Sequence, residues 1–320
     1  MPSDSSPGFV PAFLSEGPAR SATALDGDFW ATLQHPDDRQ AIRAMEAIPA
    51  LSAVSRFIQD QAIEKFARAQ LIGDAIRLGP NQLPHIHALL AEVCGTLRME
   101  RVPEFYLRME RTPNAYTIGE KNPLVQITSG LLEILPENDI KTALAHECGH
   151  ILFKHTRYTL AAKVVLNGAN STLGTMANYA ALGSLTALKE AIYRWERMSE
   201  LSADRVSMLY AGSVSAAIRV QLLLAGGLRS IPDEINVEEY VRQSEDFVEM
   251  FKPDKVTGWL ANLTLMSKDP PYASSRCVEL AAFAKGTAFK VASRRLGTFR
   301  CPTCGGRMRT DSLCENGHIC

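Results

Sequence analysis

Ile140-Lys141-Thr142-Ala143-Leu144-Ala145-His146-Glu147-Cys148-Gly149-His150-Ile151-Leu152-Phe153 carries two histidines four residues apart, with a glutamate directly after the first. On a helix, residues four apart share a face one turn apart, so both imidazoles can reach one metal ion while Glu147 points beside it. A helical setting surrounds the motif. Pro136 is placed to open a helix, Glu137 and Asp139 put negative charge in its first turn, and Ile140, Ala143, Leu144, Glu147 and Ile151 keep the helical period. Such a site suits hydrolysis: zinc polarises a carbonyl and acidifies a water, and the glutamate takes the water's proton. The plain alternative is two surface histidines on an ordinary helix.

Two histidines do not hold a catalytic zinc, which takes three protein ligands and leaves a fourth position open. A third histidine in the metzincin pattern HExxHxxGxxH is excluded, because position 153 is Phe and position 156 is Thr. Farther along, Arg194-Trp-Glu-Arg-Met-Ser-Glu-Leu-Ser-Ala-Asp-Arg205 is a charged helical stretch in which Glu200 and Asp204 are four apart on one face. Glu200 is expected as the third ligand. Asp204 is expected to orient an imidazole of the pair from behind, as metal-bound histidines require.

Four blocks, Pro113-Asn-Ala-Tyr116, Val125 to Leu135, Ala145 to Ile151 and Ser199 to Arg205, occur in an order that resembles the gluzincin metallopeptidases, the HExxH group that includes the CAAX prenyl endopeptidases and the bacterial heat-shock membrane protease (HtpX-like). The resemblance covers about residues 40 to 295. It implies His146, His150 and Glu200 as zinc ligands, Glu147 as general base, and a protein or peptide substrate. It also implies that Leu124, Val125, Gln126, Ile127 and Thr128, with Asn114 nearby, form an edge strand lining a cleft, where an extended substrate can pair its backbone.

One stretch departs from the family. Where relatives often show His-Pro followed by an arginine, this chain reads Lys268-Asp-Pro-Pro-Tyr-Ala-Ser-Ser-Arg276, with Asp269 in the histidine's place. If that histidine helps stabilise the oxyanion, the task falls here to Arg276, Tyr272 or His155. His155, five residues beyond His150, is off the ligand face and reads as a helix-end or supporting residue rather than a ligand.

With 46% hydrophobic and 22% charged residues among 320, the chain can bury a substantial core, and a net charge of −1 gives no overall pull toward nucleic acid or acidic membrane. The opening Met-Pro-Ser-Asp-Ser-Ser-Pro-Gly lacks the basic start and apolar run of a secretory signal, so a cytoplasmic protein is expected. Val164 to Leu188 carries no formal charge, but Asn167, Asn170, Asn178 and several glycines interrupt it; a buried helical hairpin is expected there, with peripheral membrane contact as the lesser option.

The expected class is mainly α with a small β-sheet, an α+β zincin-like domain. Residues 1–39, rich in Pro, Ser, Gly and Asp, read as a disordered segment with a short anchored stretch at Phe29-Trp30; 40–295 as the metallopeptidase domain; and 299–320 as a zinc ribbon. Leu83 to Leu97 reads as a helix, and Phe105 to Arg108 and Leu124 to Thr128 are the strand candidates. In the ribbon, Cys301-Pro-Thr-Cys304 and Cys314-Glu-Asn-Gly-His318-Ile-Cys320 have knuckle spacing, which makes Cys301, Cys304, Cys314 and His318 ligands of a second, structural zinc, with Cys320 as the alternative to His318. A zinc endopeptidase is thus expected. The competing classes are a catalytically silent protein that keeps the zinc fold, and a nucleic-acid-associated factor working through its ribbon, the latter disfavoured by the ordinary basic surface of the tail.

Overall fold

The computed structural model describes residues 25, 27–47, 62–159, 179–226, 234, 236–250, 273–301, 306, 308 and 314–316. Helix α1 (Gly27–Leu33) leads through His35 into α2 (Pro36–Glu46), and α3 (Ala62–Asp74) runs directly into β1 (Ala75–Leu78). Next come α4 (Pro84–Thr96), β2 (Glu104–Arg108), β3 (Ala115–Ile118), β4 (Leu124–Thr128) and a short α5 (Ser129–Ile134). The rest is helical: α6 (Glu137–Leu152), the long α7 (Tyr179–Ala211), α8 (Val214–Gly226), α9 (Val237–Met250), α10 (Ala273–Lys285) and α11 (Thr287–Leu296). This is the expected helical protein with one small sheet.

The four strands lie in the order β1-β2-β4-β3, with β2 and β4 parallel and both outer pairings antiparallel. All five residues of β4 are buried. Phe105, Val125 and Ile127 belong to the main core, while Tyr106 and Leu124 pack with Leu71 of α3 on the other face. A strand covered on both faces and paired on both sides cannot accept another backbone. The expectation that Leu124 to Thr128 is an edge strand is therefore corrected. Among the described residues the edge on this side of the sheet is β3, whose antiparallel partner β4 fills one side only.

Helix α6 lies at the centre, packed against α7, α4, α8 and β3. It begins as expected: Pro136 sits at the N-cap position and its carbonyl accepts from Asp139 and Ile140 N–H, while Lys141 bridges Glu137 and Glu92 at 3.1 and 2.8 Å. Its end is a Schellman turn. Lys154 adopts φ 59° in the left-handed region, Lys154 N–H donates to Ile151 O, and His155 N–H donates to His150 O at 2.9 Å. Gly149 marks a close approach of α6 and α7, because a Cβ there would lie 2.9 Å from Ala203 Cα. The glycine of the motif thus serves packing.

The short anchored stretch expected at Phe29-Trp30 is present, but the order extends over residues 27–39, beyond what was expected of them. Phe29, Trp30 and Leu33 are buried in the main core, α2 packs on α7, and the boundary drawn at 39 falls inside α2. Composition misled because the Pro- and Asp-rich text there opens a helix: Pro36 occupies its first turn with Asp37 and Asp38. The hairpin expected over 164–188 lies outside the described residues up to 178; from Tyr179 the backbone is already α7.

Candidate metal centre

Helices α6 and α7 bring His146, His150 and Glu200 together as the one group of metal-ligating side chains among the described residues. His146 Nε2 lies 3.2 Å from His150 Nε2, and each is 3.3 Å from a different oxygen of Glu200. A tetrahedral zinc with donors at about 2.0–2.1 Å has donor-to-donor edges of about 3.3 Å, so each of these separations suits such an ion, with one carboxylate oxygen facing each imidazole.

Behind the donors stands a row of charge. His146 Nδ1 lies 3.0 Å from Asp204 Oδ1, and Arg276 clamps Asp204 through Nε at 2.7 Å and Nη2 at 2.5 Å while its Nη1 reaches Glu200 at 3.2 Å. Gln221 adds a donor to Asp204 at 3.2 Å. Burial alone would push the Glu200 carboxyl up, but the Arg276 guanidinium and His146 hold it well below the usual carboxylate range. Burial pulls the His146 imidazole down, and Glu200 and Asp204 outweigh it, pushing it up to about 10 in the metal-free chain. Asp204 is likewise held low, against burial, chiefly by Arg276.

Glu147 is buried beside the donors, and its Oε2 accepts from the Thr117 hydroxyl of β3 at 2.8 Å. The donors open onto a cavity of about 740 Å³ bounded by Asn114, Ala115 and Tyr116 on the strand side and by Leu131, Ala143, Val220 and Leu224 as an apolar patch. A second cavity, about 910 Å³, lies between α4, the start of α6 and the segment after Gly297, lined by Glu92, Asp139, Lys141 and Arg294. It gathers no metal-ligating group among the described residues, and the chemistry sits in the smaller one.

Residues 80–286 match the peptidase family M48. The chain belongs to this family. Over 280 residues it is 29% identical to the plastoglobule-localized metallopeptidase 48 of the Arabidopsis thaliana chloroplast, covering 85% of this chain and 76% of that one. A protease HtpX homolog of Helicobacter acinonychis is 30% identical over 113 residues, 33% of this chain and 37% of its own, and one of Trichormus variabilis is 27% identical over 214 residues, 58% and 72%. This M48 peptidase is therefore a metalloprotease of a zinc-dependent family, with proteins as substrates. No helix among the described residues is long and apolar enough to cross a membrane.

Within this M48 site, several residues stand elsewhere than sequence reasoning put them. His155 does not face the cavity. It is fully buried behind His150, its Nδ1 3.0 Å from His150 Nδ1 and its Nε2 2.9 Å from Asp38 Oδ2, so it cannot reach an oxyanion. Arg276 borders the cavity, yet its guanidinium is engaged by Asp204 and Glu200. Tyr272 and Asp269 lie outside the described residues. Of the six residues expected to bind substrate, Asn114 alone borders the cavity; Leu124 to Thr128 lie one strand behind it. Asp38 and Thr117 were missed. An aspartate in an acidic helix start and a threonine in a four-residue strand carry no local signal of a distant partner.

Proposed function

We propose that the chain is a zinc endopeptidase in which His146, His150 and Glu200 hold the catalytic ion and Glu147 is the general base. The observation that carries this reading is the close grouping of the donors, 3.2 Å between the two imidazole nitrogens and 3.3 Å from each of them to a different oxygen of Glu200, with a buried carboxylate alongside. When bound, zinc would supply Lewis-acid polarisation of the scissile carbonyl and acidify a water. Glu147 would serve as the base at the oxygen not engaged by Thr117, holding the proton of the attacking water for the leaving amine. Asp204 accepts the Nδ1 proton of His146 and so leaves Nε2 free as a donor, while Arg276 balances the two carboxylates. An extended substrate adds a strand to β3, the exposed edge beside the ligands, with an apolar side chain in the patch of Leu131, Val220 and Leu224.

A second, structural zinc in the tail is part of this reading. Cys301 and Cys314 are buried, Cys301 N–H donates to Gly306 O, and Met308 and Cys314 form an isolated antiparallel bridge, contacts that suit two knuckles. Cys304 and His318 complete the proposed set; both lie outside the described residues. The test of the hydrolytic reading is Glu147→Gln, which keeps the shape of the side chain and cannot take the proton. Hydrolysis of an unfolded protein substrate should fall about a thousandfold or more while zinc stays bound. Equal turnover by both forms contradicts the role given to Glu147.

A further inference from the structure

Beyond the two ligand histidines, a third imidazole and a distant carboxylate continue the site. His150 presents Nε2 to the other donors; with that nitrogen given to a metal, Nδ1 carries the proton and donates to the facing His155 Nδ1, 3.0 Å away. His155 must then carry its own proton on Nε2, which donates to Asp38 Oδ2 at 2.9 Å. The chain of donors has one consistent direction, from His150 through His155 to Asp38. It mirrors the other ligand, where His146 donates directly to Asp204. Asp38 is held in place: its Oδ2 also accepts from Ser202 at 2.6 Å and Gln34 at 2.8 Å, and the side chain is fully buried. His155 is held too, because the Schellman turn ties its N–H to the His150 carbonyl and its ring lies against Trp195.

We propose that Asp38 and His155 are positioning residues for the metal ligand His150, fixing its tautomer and ring so that Nε2 stays bare, and that α2 is thereby built into the metal centre. Asp38 lies outside residues 80–286, so this support comes from beyond the part of the chain that matches the M48 family. The inference rests on the proposed zinc site and deepens it. A carboxylate behind a ligand imidazole raises its basicity and restrains its ring, and loss of such support weakens metal affinity about 10–100-fold.

The test compares variants that keep shape with variants that keep hydrogen bonding. Zinc affinity is measured by chelator competition on the full chain, with circular dichroism of the zinc-free protein as a check on folding. Asp38→Leu should weaken zinc binding about 10–100-fold, and Asp38→Asn, which restores an acceptor, should recover most of it. His155→Gln offers an acceptor and a donor without a ring, and His155→Phe offers a ring without either; the glutamine form should hold zinc more tightly. In active variants kcat should fall with KM little changed. Asp38→Leu binding zinc as tightly as wild type, or His155→Phe outperforming His155→Gln, overturns the proposal and leaves the zinc site standing. Should Asp38→Leu fail to fold, the pair at position 155 decides. A wild-type chain that binds no zinc at this site overturns the proposed function as well.

Discussion

Glu147 and Glu200 lie on facing helices beside the same two histidines, and their neighbours set them to different tasks. Arg276 and both imidazoles surround Glu200, so it stays ionised and serves as a donor. Glu147 meets one neutral donor, the Thr117 hydroxyl, which fixes one oxygen and leaves the other for proton transfer. Thr117→Val removes that restraint while keeping the side chain's volume. It should lower kcat about tenfold, the worth of one hydrogen bond to a charged group, with zinc content unchanged; steady-state kinetics beside metal analysis checks both. The ligands themselves were legible because their spacing is local, four residues on one helix face. Thr117 stands 30 residues from Glu147 and Asp38 stands 117 from His155, and no periodicity reports a contact made by folding.

At the scale of elements, the crossing of α6 and α7 sets the donor geometry, since two ligands ride on one helix and the third on the other. Gly149 permits that approach. Gly149→Ala would set its Cβ 2.9 Å from Ala203 Cα and 3.2 Å from Val206 Cβ, both backbone-bound atoms with little freedom to yield. The expected cost is about 1–3 kcal/mol, read as a lowered denaturant midpoint, together with weaker zinc binding as the helices separate. The helix start, the strands β2 and β4 and the charged Glu200 helix were all readable from their patterns. β1 and β3 were not, for each is four residues long and neither shows a clear alternation of buried and exposed positions. The misplaced edge came with the family resemblance, which put the cleft-lining strand at Leu124 to Thr128; β3, which lies outside it, had no pattern of its own to claim that place.

Across the whole molecule, both ends of the described chain return to the catalytic helices. The first two helices bury Phe29, Trp30 and Leu33 in the core and deliver Asp38, and at the other end the Thr298 hydroxyl donates to Leu209 O of α7. A chain truncated after Arg300 keeps that anchor and removes the proposed ribbon. It should fold, retain the catalytic zinc and lose one zinc per molecule; an unchanged metal count removes the ribbon assignment. The same truncation shows what the tail does to turnover: faster cleavage of a short unstructured peptide means the tail restrains the site, and poorer cleavage of whole proteins alone means it recruits them. The most direct measurement of the central claim is the zinc content of the full-length protein beside that of Glu200→Ala, determined by elemental analysis on chains of equal helical content. The account predicts that the variant holds one zinc fewer per chain and no longer hydrolyses protein. Equal zinc content in the two would contradict Glu200 as the third ligand.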